Sequence, residues 1–165
     1  MRSGGDTARL ILICGLPGSG KTTLAKRLAE NRSAIRLCPD EWQAALRFDP
    51  FDDSAHGRIE SLMWQMAQEL FLRGLSVILA FGFWGRSERD EKRERARELG
   101  VPVELHYLDV PMDELLGRLE ARHRQRVWGA VPVEREHLER YAQVFQPPDS
   151  EELSLFDCVA PEIIT

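Results

Sequence analysis

Short apolar runs alternate along the chain with longer stretches in which apolar residues recur every three or four positions. The apolar runs predict β-strands at residues 10–14, 34–38, 75–81 and 101–110, with a weaker edge strand at 155–160. The intervening pattern predicts helices at residues 20–31, 39–46, 54–73, 87–100, 111–124 and 133–145. Strands that alternate with helices predict an α/β fold in which helices flank a mainly parallel sheet.

The size and charge of the chain limit the number of its domains and the partners that it can bind. A chain of 165 residues suits one domain, and we expect residues 1–165 to form it. The net charge of −5 disfavours nucleic acid and anionic lipid as partners. Three widely spaced cysteines form neither a disulfide framework nor a metal cluster, and no apolar run is long enough to span a bilayer. These features favour a cytoplasmic protein.

The strongest local signal is the stretch GLPGSGKTT, which directly follows the first predicted strand. Its glycines allow the backbone to curl so that successive N–H groups point at one anion, and the following helix adds its positive end. In such a loop Lys21 faces the β- and γ-phosphates and Thr22 offers a hydroxyl to Mg²⁺. The predicted ligands are ATP and Mg²⁺, and the predicted binding residues are Gly15, Leu16, Pro17, Gly18, Ser19, Gly20, Lys21, Thr22 and Thr23.

The second signal is CPDEW, at the end of the second predicted strand. Asp40 would then lie at the same carboxyl edge of the sheet as the phosphate loop. A carboxylate in that place can accept the proton of a hydroxyl that attacks the γ-phosphate. Glu41 is the neighbouring rival for this role. Asp40 is alternatively a favourable charge at the start of a helix, beside Pro39.

Four segments, GLPGSGKTTLAKRLA, CPDEW, GFWGRSER and VELHYLDVPMDELLGRLEAR, together resemble a family of small P-loop kinases and kinase-like AAA-type ATPases. This family includes the kinase domains of polynucleotide kinases, and its wider relatives are zeta toxins, chloramphenicol phosphotransferase and gluconate kinases. The resemblance extends to about residue 145. It implies a three-layer fold with a five-stranded parallel sheet in the order 2-3-1-4-5, ATP and Mg²⁺ at Lys21 and Thr22, Asp40 as general base, and a helical lid near residues 118–131.

The predicted lid is rich in arginine, a residue that stabilises negative charge on a transferring phosphate. The sequence favours Arg122 and Arg126 for this catalytic role among Arg118, Arg122, Arg124 and Arg126. For most of these arginines, the alternative is that they lie on a solvent-exposed helix face and form ion pairs with glutamates. Arg86 and Arg89, which follow the third strand, are candidates for holding an anionic group of substrate or nucleotide.

The third strand ends in LAFGFW, whereas the resemblance leads us to expect an acid where this chain has Ala80. That acid would hold a water of the Mg²⁺ shell or orient the acceptor. With alanine, the role is either missing or taken by another carboxylate, Asp40 or Asp109, and turnover is expected to be affected more than nucleotide binding. Trp84, after this strand, and Trp42, after Asp40, are candidates for stacking on the acceptor. The four histidines lack metal-ligand spacing, and the sequence assigns them no role.

These observations favour an ATP-dependent phosphotransferase that moves the γ-phosphate to a hydroxyl of a small molecule. A polynucleotide 5′-hydroxyl kinase is the alternative in chemistry, which the acidic net charge disfavours. An alternative of another class is a nucleotide-binding switch with little turnover, because the expected acid is absent at Ala80.

Overall fold

A computed structural model describes residues 7–125 and 133–157 of the chain. The strands are β1 (Leu10–Cys14), β2 (Ile35–Leu37), β3 (Val77–Gly82) and β4 (Val103–Tyr107). The helices are α1 (Lys21–Arg32), α2 (Pro39–Ala45), α3 (Asp53–Leu72), α4 (Arg86–Glu98), α5 (Met112–Arg124), α6 (Arg135–Val144) and α7 (Ser150–Ser154). In the described part of the chain, no helix is both long and apolar enough to cross a membrane.

The four strands form one parallel sheet in the order β2-β3-β1-β4. This matches the first four positions of the predicted order and confirms the α/β class. The described residues hold four strands rather than the five expected. Within the predicted edge segment, Asp157 pairs its N–H with the Val103 carbonyl at 2.8 Å but lies in no strand, and residues 158–160 are outside the described ranges.

Alternate residues of β3 divide the core into two apolar layers. Val77 and Leu79 face the cluster that contains Met63 and Ala67 of α3, whereas Ile78 and Ala80 face the cluster that contains α1. Both faces of the central strands are therefore covered, which explains why their sequences are continuous apolar runs rather than alternating ones. A third cluster joins α5 to α6 through apolar residues that include Leu115, Leu119 and Leu138.

Helix α7 was not predicted, and it is joined to α4 by a buried ion pair. Arg89 is 0% and Glu152 is 1% exposed, and two hydrogen bonds of 2.5 and 2.8 Å connect their side chains. Arg89 also donates to the carbonyls of Phe83 at 2.7 Å and Gln146 at 2.8 Å. Arg89 is buried and all four of these hydrogen bonds are to the protein itself, so its role is structural. The expectation that Arg89 holds an anion of substrate or nucleotide is wrong.

Gln146, the second residue after α6, is attached at three points to the segment that follows β3. Its N–H donates to the Trp84 carbonyl at 2.7 Å, its side-chain oxygen accepts from the Arg86 N–H at 2.9 Å, and its carbonyl accepts from Arg89. The C-terminal end of α6 is thereby fixed to the end of β3.

Candidate nucleotide and acceptor site

The candidate site lies where the carboxyl ends of the parallel strands meet. Backbone hydrogen bonds continue beyond the strands at this edge, from the Gly15 N–H to the Gly82 carbonyl at 3.2 Å and from the Leu108 N–H to the Cys14 carbonyl at 3.0 Å. The loop after β1 therefore adjoins the ends of β3 and β4, and the start of α2 lies near it because Thr22 interacts with Cys38, the residue that precedes α2. Ligands of open α/β sheets bind at this kind of edge.

The loop after β1 depends on its glycines. Gly18 and Gly20 have φ angles of +84° and +98°, in the region that side chains rarely adopt. A Cβ on Gly15 would lie 2.7 Å from the Ser19 hydroxyl oxygen, and one on Gly18 would lie 3.0 Å from Leu119 of α5. Gly20 also caps the N-terminus of α1, where the free N–H groups of a helix favour an anion.

Lys21 extends back along this loop. Its Nζ atom donates to the carbonyl oxygens of Gly15 at 3.0 Å and Leu16 at 3.1 Å. Burial lowers the pKa of Lys21, the nearby Asp40 carboxylate acts in the opposite direction, and the charge of Arg122 lowers the pKa further. The lysine charge is thus in the electrostatic range of the predicted base and of one predicted lid arginine.

The loop fits a phosphate group on a further observation. The Ser19 hydroxyl is buried and has no hydrogen-bond partner among the described residues, although buried polar atoms are normally paired. It lies inside the turn that leads to Lys21, where a phosphate oxygen would supply the missing partner. The Thr22 hydroxyl, beside the Cys38 sulfur, is the predicted protein ligand of Mg²⁺.

The part of the chain that the structure describes holds no group of three His, Cys, Asp or Glu side chains arranged for a metal. A magnesium ion bound by Thr22 would therefore take most of its oxygen ligands from phosphates and water, as is usual for this ion.

Asp40 is in the first turn of α2, immediately after Cys38 and Pro39, and its side chain is 75% exposed. Among the charges that act on the pKa of Lys21, the Asp40 carboxylate has the largest effect, so the two residues are within electrostatic range of each other. The rival Glu41 is 2.5 Å from the Arg36 guanidinium in an ion pair. The geometry therefore leaves Asp40 as the carboxylate that is open to an acceptor.

Sequence reasoning missed His56, which lies in the first turns of α3. Its Nδ1 atom is 3.8 Å from an Asp40 carboxylate oxygen and 2.8 Å from the Gln43 side-chain oxygen, and its Nε2 atom is 3.2 Å from Glu60. The hydrogen bond to Glu60 raises the pKa of His56, while burial opposes the rise. No local signal marks His56, because its partners on α2 meet it only through the packing of two helices.

The aromatic residues at this edge have different environments. Phe83 is buried and stacks on Phe81 with ring centroids 5.2 Å apart. Trp84 packs on Tyr141 of α6 at 4.9 Å, and a Cβ on Gly82 would lie 3.1 Å from its indole nitrogen. Trp42 is 39% exposed. Trp42 and Trp84 remain the predicted contacts to the acceptor, whereas Phe83 belongs to the core and Phe81 is partly buried against it.

The arginines of the predicted lid are only partly within the described ranges. Arg118 donates to the Ser19 carbonyl at 3.2 Å, so α5 contacts the phosphate loop directly. Arg122 is exposed, and its charge reaches Lys21. Arg126 lies outside the described residues. Arg86 is half-exposed at the start of α4, 3.6 Å from Asp90, and stays a candidate for an anionic group.

Ala80 is 4% exposed and packs in the cluster that contains Ile13, Ala25 and Cys38. Its side chain faces the same layer as α1, whose first turn holds Lys21 and Thr22. The strand end at which the resemblance leads us to expect an acid is therefore an apolar packing position in this chain.

A glycine-rich loop connects a central parallel strand to a helix, and the first lysine of that helix reaches back along the loop. These features define a P-loop nucleotide-binding protein of the kinase-like type. The chain belongs to the AAA domain family, whose model matches residues 10–148.

Three comparisons show the range of similar proteins. A probable adenylyl-sulfate kinase from Aeropyrum pernix is 25% identical over 153 residues, which are 88% of this chain and 81% of that protein. A gluconokinase structure from Sinorhizobium meliloti has a TM-score of 0.61 at 19% identity, covering 87% of this chain and 78% of that one.

The third is a chain of the Pnkp1/Rnl/Hen1 RNA repair complex, with a TM-score of 0.70 at 19% identity. The match covers 94% of the present chain but only 48% of that larger one. At these identities the solved structures show a shared fold.

Proposed function

We propose that the protein is an ATP-dependent phosphotransferase that moves the γ-phosphate to a hydroxyl of a small molecule. The observation that carries the proposal is an exposed carboxylate, Asp40, placed in the electrostatic range of Lys21 of the phosphate loop. The similarity of the chain to an adenylyl-sulfate kinase and a gluconokinase supports the same class of reaction.

In the proposed reaction Asp40 accepts the proton of the acceptor hydroxyl while the oxygen bonds to the γ-phosphorus. The bond between that phosphorus and the β–γ bridging oxygen breaks, and ADP leaves with the electron pair. Lys21 leaves the loop carbonyls to face the β- and γ-phosphates, and Arg122 adds positive charge from α5. Magnesium, held by Thr22, would neutralise charge on the phosphates.

The charge of a surface near Asp40, reached through the contact of Glu60 with His56, favours a small molecule over a polynucleotide. A cavity of about 300 Å³ between α3 and α4 is lined by Glu60, Glu88, Glu91 and Lys92 with aromatic side chains. Burial and the charge of Glu60 raise the pKa of Glu88, so the acidic side chains of this lining repel one another. An acidic surface of this kind repels a phosphate backbone.

The test is a screen of hydroxyl acceptors with labelled ATP, run on the parent chain and two matched variants. Asp40→Asn should slow transfer by roughly 100-fold or more, the usual scale for loss of a general base, with ATP affinity nearly unchanged. Glu41→Gln, at the next position, should retain transfer. Equal rates of phosphate transfer for Asp40→Asn and the parent would exclude Asp40 as the general base. If no acceptor is phosphorylated but nucleotide controls the binding of a partner, the switch alternative holds instead.

A further inference from the structure

The orientation of one buried amide determines the chemistry around His56. Gln43 is 3% exposed, and its side-chain nitrogen donates to the carbonyl oxygens of Asp49 at 2.6 Å and Asp52 at 3.3 Å. Two carbonyls identify that end of the amide as the NH₂ group, because an amide oxygen cannot donate to them. The other end, which faces His56, is therefore the acceptor oxygen.

Both ring nitrogens of His56 consequently face acceptors. Nδ1 is 2.8 Å from the Gln43 oxygen, and Nε2 is 3.2 Å from a carboxylate oxygen of Glu60. Neutral imidazole carries one N–H and one lone pair, so it would leave a lone pair against one of these oxygens. The doubly protonated ring satisfies both contacts.

The charges around the ring favour the same form. Asp40 faces it from α2, and Asp53 and Glu60 face it from α3. Each carboxylate raises the pKa of His56, while burial lowers it. The ring is half-buried, so these interactions are less screened than at an open surface.

We propose that His56 acts as an imidazolium that positions the Asp40 carboxylate for phosphate transfer. The Asp40 carboxylate makes no hydrogen bond within the described parts of the chain and is 75% exposed on a seven-residue helix, so little else fixes its direction. The His56 Nδ1 atom, 3.8 Å away, is anchored by Gln43 and Glu60. The inference rests on the proposed function, in which Asp40 is the base.

The first test needs no activity. Nitrogen NMR of protein labelled in histidine, assigned with His56→Asn, reports the protonation of both ring nitrogens. We expect a titration midpoint above the ordinary 6.5, with a lower midpoint in Glu60→Gln and in Asp40→Asn. Glu69→Gln, an exposed carboxylate further along α3, is the matched control and should leave the midpoint unchanged. A midpoint at or below 6.5, or one that Asp40→Asn does not move, would overturn the proposal.

The second test uses whichever acceptor the screen identifies. His56→Asn should lower kcat roughly 10- to 100-fold through misplacement of the base, with the KM for ATP unchanged. The parent rate should fall at high pH with the midpoint seen by NMR, and the His56→Asn profile should lack that decline. A variant that keeps the parental kcat, or keeps the decline, refutes the positioning role while transfer itself stands. Absence of transfer to every acceptor counts against the proposed function, whereas the titration in Asp40→Asn decides separately whether the imidazolium acts on that carboxylate.

Discussion

Replacement of Arg89 by methionine should strongly lower the free energy of unfolding of the protein. Arg89 lies far from the phosphate loop in the sequence. The change removes four hydrogen bonds and leaves the Glu152 carboxylate, 1% exposed, without its cation. Loss of one partner of a buried ion pair costs about 3–5 kcal/mol. The carbonyls of Phe83 and Gln146 also lose their donor, at about 1 kcal/mol each when water does not replace it. These contributions amount to about 5–7 kcal/mol, and we expect the free energy of unfolding to fall by at least the lower figure, about 5 kcal/mol.

Urea denaturation followed by circular dichroism measures this loss. With a slope of about 2 kcal/mol per molar urea, the midpoint should fall by about 2.5 M. Arg95→Met is the matched control, because Arg95 is on the same helix in an exposed pair with Glu98. Exposed pairs contribute about 0–1 kcal/mol, so its midpoint should move little.

A double variant separates charge from packing. Arg89→Met combined with Glu152→Leu removes both charges, and such replacements of buried pairs are often neutral or stabilising. We therefore expect the double variant to recover most of the stability that Arg89→Met loses. A loss below about 1 kcal/mol in Arg89→Met, or a double variant no more stable than the single one, would refute the reasoning.

Four further predictions concern the site and the opposite end of the sheet. Lys21→Ala should weaken ATP binding in calorimetry and abolish transfer, because it removes the charge that faces the β- and γ-phosphates; unchanged affinity would exclude this site. Arg122→Ala should lower kcat more than ATP affinity, with Arg124→Ala as control, since a cation from α5 acts mainly on transition-state charge; equal losses in both would indicate ground-state binding only. Ala80→Asp should lower the Tm, because Ala80 is buried in an apolar cluster, and Mg·ATP should restore part of the loss; a Tm equal to the parent's would show that the new carboxylate is not buried in that cluster. Glu104 is buried, and although burial raises its pKa, hydrogen bonds and arginine charges outweigh burial and lower the pKa below its ordinary 4.5. Its contribution to stability is therefore present above that value and lost as pH falls through the lowered pKa, so the Tm difference between parent and Glu104→Gln should shrink in acid, and a constant difference would contradict the assignment.

The sequence predicted those parts of the molecule that local patterns encode. The loop from Gly15 to Thr23 and the placement of Asp40 after β2 each depend on neighbouring residues, and the strand order of the described sheet followed from the resemblance. Arg89 was misassigned because its partner Glu152 is 63 residues away, and a charge pattern shows nothing of burial. Helix α7 escaped notice because five residues give no periodicity, although Asp149 accepts a hydrogen bond from the Glu152 N–H as its N-terminal cap.

The attachment of Gln146 has a consequence for how the chain can move. Three hydrogen bonds hold this residue to the segment after β3, so any movement of α6 should be smallest at its C-terminal end and largest at its N-terminal end, which follows the predicted lid in the sequence. If α6 rotates about this end when nucleotide binds, Tyr141 would shift relative to Trp84 and their ring contact would change. Indole fluorescence would then report nucleotide binding, and amide hydrogen exchange at Gln146 would stay slow in both states.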